Sequence, residues 1–146
     1  MKRVVLLIIA LALAFACGKD EEGLRGENTK EVQIIISDPT TGPLQMRAYP
    51  DPATIGRDGA VKWQIVYKSG PQLETVVIDG FRDPKGPTDP FEGGSRFVFN
   101  YLVPAPTGPV QTSSAPNKGG DFKYNVTVTI AGSAPVVFDP RLIVNY

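Results

Sequence analysis

The chain has 146 residues, 15 basic and 15 acidic, with one cysteine and no histidine. That is enough for one domain with a real core. The balanced charge provides no basic excess to neutralise phosphates and speaks against nucleic acid as a partner. The lack of histidine removes the commonest acid–base group and the commonest metal ligand.

Met1-Lys2-Arg3 is a short basic start, and Val4 to Ala16 then runs without a charged or polar side chain. The run is too short for a bilayer core, which takes about 20 residues, and has the length of a signal-peptide apolar region. It ends Ala14-Phe15-Ala16-Cys17. The stretch resembles a bacterial lipoprotein signal, whose lipobox closes on a small residue followed by cysteine, although Ala14 stands where the family usually has leucine. The resemblance implies cleavage before Cys17, lipidation of Cys17 with palmitate-type chains, and a two-chain anchor stable in a membrane. Gly18 and not Asp follows the cysteine, which implies the outer membrane of the cell envelope as the destination. Removing residues 1–16 takes away two basic residues and no acidic one, leaving a net charge of −2.

Gly18 to Lys30 is polar, charged and without period, and reads as a tether that extends at most about 40 Å. The expected layout is a signal over 1–16, a lipidated cysteine and tether over 17–30, and one domain over 31–146.

Strand signals then follow one another. Residues 31–37 are short and β-branched, and 44–49 is a weaker candidate. Over 60–68, Val61, Trp63, Ile65 and Tyr67 share one face and Lys62, Gln64 and Lys68 the other, with Val66 as the exception. Residues 73–81 hold Val76, Val77 and Ile78 in a row, as a strand buried on both sides would. Residues 96–103 carry Phe97, Phe99 and Tyr101. Over 121–130, Phe122, Tyr124, Val126, Val128 and Ile130 alternate with polar residues. Residues 135–138 and 141–146 close the set. Period-two alternation between Pro/Gly turns predicts an all-β protein, a single Greek-key β-sandwich of 7–8 strands. The segments 37–43, 79–95 and 104–120 read as loops, and the last two are long enough to suggest function.

Three stretches resemble the cupredoxin pattern. They are "YPDPATIGRDGAVKWQIVYKSG" at 49–70, "GGDFKYNVTVTIAG" at 119–132 and "VVFDPRLIV" at 136–144. The resemblance implies a cupredoxin-like or immunoglobulin-like sandwich. It also places the family's copper-binding cysteine at Val126 and its first histidine near Glu74, so the copper ligands are missing and blue-copper electron transfer is not expected. No cofactor is expected.

Other chemistry is sparse. Ser69 beside Lys68, and Ser113 and Ser114 near Lys118, are formal Ser-Lys pairs outside any motif. Asp79, Asp83, Asp89 and Glu92 gather in the 79–95 loop, where a hydrolase or an oxygen-ligand metal site would need them clustered. Most aromatics sit at strand spacing and belong to the core; Phe81 and Phe91, in the loop, are the candidates for an exposed sugar-binding platform. Asn125-Val126-Thr127 matches the glycosylation sequon by chance, in mid-strand. The expected function is a lipid-anchored, non-catalytic binding or accessory module, attached to the membrane by its N-terminal lipid. It would meet a protein or glycan partner through the 79–95 and 104–120 loops. The alternative is a hydrolase or metal binder built on the loop carboxylates.

Overall fold

The computed structural model describes residues 28–37, 42–85, 89–91, 95–105 and 107–145. Cys17 and the apolar run before it lie outside these, as does Glu92. Among the described residues there is no helix, and ten strands build two sheets.

The first sheet joins β1 (Thr29–Ser37), β2 (Gln45–Tyr49), β4 (Ala60–Ser69) and β7 (Val110–Thr112) in the order β2-β1-β4-β7. The second joins β3 (Ala53–Gly56), β5 (Leu73–Arg82), β6 (Phe97–Leu102), β8 (Gly120–Ile130) and β10 (Arg141–Asn145) in the order β3-β10-β8-β5-β6. β9 (Val136–Phe138) pairs with β8 beyond the end of β10. Both sheets are mixed, because β1 runs parallel to β4 and β3 parallel to β10. The chain crosses between sheets repeatedly, first through the cis peptides Tyr49–Pro50 and Asp51–Pro52.

The strand count exceeds the 7–8 expected. The two extra strands are β3 and β7, and the second lies inside what reads as the 104–120 loop. Neither has much strand propensity of its own; each is completed by a distant partner. Gly108 lies so close to β4 that a Cβ there would run into the Ile65 carbonyl, while Pro109 accepts from the Ile65 amide at 3.1 Å. Ser113 and Val61 then exchange two bonds, amide to Val61 carbonyl at 2.8 Å and Val61 amide to the Ser113 hydroxyl at 2.9 Å.

β9 and β10 are in effect one strand. Val126 lies opposite Phe138 and Lys123 opposite Arg141, three residues on along each strand, so the register is unbroken across Asp139-Pro140. Pro140 has no amide to give, yet its carbonyl still accepts from Tyr124 at 3.1 Å.

The core lies between the inner faces of the two sheets, where alternation puts it. Val32, Ile34 and Ile36 of β1 and Val61, Trp63, Ile65 and Tyr67 of β4 face Val76 and Ile78 of β5 and Phe122, Tyr124, Val126 and Val128 of β8. In β5 the expected double burial is absent. Val76 and Ile78 are buried, while Val77 between them faces outward and is half-buried.

Candidate binding face

The loop aromatics are not exposed. Phe81 is 8% accessible and Phe91 4%. Both turn in to complete a box of five rings with Trp63, Phe97 and Tyr124. Trp63 meets Phe97 at 4.4 Å between centroids and Phe91 edge-on at 5.9 Å, and Phe81 stacks on Tyr124 at 5.0 Å. Such a cluster gains more by burying its rings than by presenting them to a sugar. This corrects the expectation of a sugar platform at Phe81 and Phe91.

The loop carboxylates serve local structure. Asp89 accepts from the Phe91 amide at 3.0 Å and from the Ser95 hydroxyl, which holds Phe91 in the box. Pro90 accepts from the Asn117 amide at 2.8 Å, so the two long loops brace each other. Asp83 closes a turn on the Lys85 amide at 2.8 Å, and Asp79 pairs with Arg96 at 3.5 Å. Among the described residues no three metal-ligating side chains come together. Ser113 has its hydroxyl committed to the Val61 amide. The Asn125 side chain accepts from Arg82 at 2.7 Å.

The positions implied for copper ligands also lie apart. Val126 is fully buried opposite Ile78, whereas Glu74 is exposed beside Leu73, which pairs with Ile130. Four ladder steps separate the two levels, roughly 13 Å at the strand rise.

Two buried polar atoms are left over inside the aromatic box. Trp63 Nε1 and Tyr124 OH find no partner at hydrogen-bonding geometry, although indole and phenol meet edge-on with ring centroids 6.3 Å apart. Burial pushes the Tyr124 phenol well above its ordinary value, opposed only in part by the Trp63 N–H.

The outer faces of the two sheets differ in how their charges are compensated. On the second sheet Arg141 hydrogen-bonds Asp121, Lys123 reaches Asp139 at 3.1 Å, and Arg82 reaches the same carboxylate at 3.5 Å. The hydrogen bond from Arg141 holds the Asp121 carboxyl below its usual range and in turn raises the guanidinium; Lys123 lowers Asp139 in the same way. Arg96 is matched by Asp79.

The outer face of the first sheet is built differently. The register sets Tyr49, Gln33, Gln64 and Val110 in one row across all four strands, with the two amides in contact at 3.3 Å. The next row holds Arg47, Ile35 and Val66, and Glu31 pairs with Lys62 at 3.6 Å on the other side. Tyr49 is 67% accessible and Val110 41%, the exposed apolar surface of this face. Arg47 and Lys68 share a concavity of about 590 Å³ with Ile35, Leu44 and Met46. Among the described residues neither cation has a carboxylate within ion-pair distance.

This face is not singled out by the sequence. Tyr49 reads as the end of a weak strand and Val110 as part of a loop, and only the register aligns them. Val66, apolar where the alternation of β4 calls for a polar residue, is 8% accessible and adds no exposed surface to this face. A scan against protein-family models finds no match, and neither does a search of curated proteins.

Proposed function

We propose that this protein is a lipid-anchored module of the cell envelope, of cupredoxin-like sandwich type without a copper site, which works by binding and not by catalysis. In this reading Cys17 carries the lipid, the following residues tether the domain, and the outer face of the β2-β1-β4-β7 sheet meets a component of the envelope. The observation that carries the reading is the contrast between loops and sheet. In the 79–95 segment Phe81 and Phe91 turn into the core, and each described acid there is held by its own partner. The exposed aromatic and the uncompensated cations stand together on the sheet instead.

Two measurements test it. Mass spectrometry of the N-terminal peptide from native membranes should find a chain starting at an acylated Cys17; an unmodified Cys17, or a start elsewhere, would refute the anchor. A photo-crosslinking residue at Tyr49 should capture an envelope component in cells far more efficiently than one at Thr129 on the other sheet. Equal capture from both positions would remove the binding face.

A further inference from the structure

We propose that the component met by the first sheet is the bilayer itself, and that the outer face of β2-β1-β4-β7 docks on a surface of anionic lipid headgroups. The inference rests on the anchored reading above, which brings the bilayer within reach.

Three features of the molecule choose this occupant. The first is charge complementarity. Every basic side chain described above on the second sheet is paired with a carboxylate, so that face offers an anionic surface little net attraction. On the first sheet Lys62 is offset by Glu31, but Arg47 and Lys68 are exposed without a carboxylate partner among the described residues, and exposed Lys30 stands at the rim beside Gln33 and Tyr49. The second is the company those cations keep. Ile35 lines the same concavity, which reaches Leu44 and Met46 at the margin of the core, and Tyr49 projects with an apolar ring and a polar tip, the amphipathic build favoured where hydrocarbon meets water. The third is the position of the chain outside the described residues. β1 opens at Thr29 and lies inside this sheet, so the segment after Cys17 leads directly into this face. Ten residues separate Cys17 from Asn28, eleven Cα-to-Cα steps that extend at most about 40 Å. The nine residues of β1 cover roughly 30 Å at the strand rise, so the tether is long enough for the whole face to lie down.

The anchor also makes weak attraction sufficient. A domain held within a tether's length of the surface has a high effective concentration there, so docking needs only to outweigh local freedom. Each basic residue near an anionic leaflet shifts that balance about five-fold, and Arg47 with Lys68 about 25-fold together. Both contributions are screened by salt.

The test uses the full acylated chain in nanodiscs of phosphatidylcholine, with and without phosphatidylglycerol, carrying a trace of headgroup-nitroxide lipid. Amide NMR broadening then reports which residues approach the headgroups. The expected result is broadening confined to β1, β2 and β4, present with phosphatidylglycerol and lost on adding salt. Arg47→Gln with Lys68→Gln should reduce the docked-to-free ratio about 25-fold, whereas Arg82→Gln with Lys123→Gln, an equal loss of charge on the other sheet, should leave the broadening in place. Broadening shared by both sheets, confined to the second, or indifferent to lipid charge would overturn the proposal. So would a shift of the same β1, β2 and β4 amides by soluble dextran sulfate with no effect of discs, which would assign the face to an anionic polysaccharide. Co-isolation of the chain with discs of either composition reads the anchor separately. A chain that stays off the discs sinks the anchored reading, while an anchored chain without oriented broadening sinks this one alone.

Discussion

Tyr124 shows how a single hydroxyl can sit inside an aromatic core without a partner at good geometry. A buried hydroxyl of this kind adds little, since its lost hydration offsets any weak contact with the Trp63 N–H. Tyr124→Phe is therefore expected to stay within about 1 kcal/mol of the parent at neutral pH, or to exceed it, in urea unfolding. Alkaline pH should separate the two. Because the folded phenol titrates above its ordinary value, the folded state holds a proton that the unfolded chain releases. The stabilisation is complete below about pH 10 and is lost as pH rises beyond it, at up to about 1.4 kcal/mol per pH unit. The Phe variant should lack that share of the slope between about pH 10 and 11; parallel slopes would show that Tyr124 ionises freely in the folded protein.

The strands differ in how far their own residues specify them. β4 and β8 are legible because ten residues of alternation leave one consistent face for Trp63, Ile65 and Tyr67, or for Phe122, Tyr124 and Val126. β3 and β7 are not legible. Ala-Thr-Ile-Gly and Val-Gln-Thr are too short to show a period, and their ladders are supplied by β10 and β4. The same limit hides the proposed binding face, since an outer row such as Tyr49-Gln33-Gln64-Val110 exists only once four strands are in register. Phe81 and Phe91 are misread for a related reason: β5 runs on through Phe81 and keeps that ring on its inner face, while a loop position says nothing of which way Phe91 turns, and Asp89 turns it inward. β7 depends on Ser113, whose hydroxyl satisfies the buried Val61 amide. Ser113→Ala should cost about 1–3 kcal/mol and speed hydrogen exchange at Val61, while Ser113→Thr keeps the acceptor and most of the stability. An alanine variant as stable and as protected as the parent would show that β7 holds without this bond.

At the scale of the molecule, the parallel pairs govern how the sandwich is put together. Leu142 lies beside Ala53, and β10 is seated between β3 and β8, so the second sheet is bridged by the strand that comes after the other nine described here. A chain ended after Asp139 leaves β3 without a ladder partner and uncovers Phe122; we expect it to bind a hydrophobic dye and to give poorly dispersed NMR spectra. A well-dispersed spectrum would mean that β3 and β10 are dispensable. Contacts of such long sequence separation also place folding in the slow range, milliseconds to seconds. A chain whose synthesis has not yet reached β10 thus lacks the strand that joins β3 to β8. For a protein proposed to travel to the envelope, that would make the seat of β10 a latch, open until this strand has emerged.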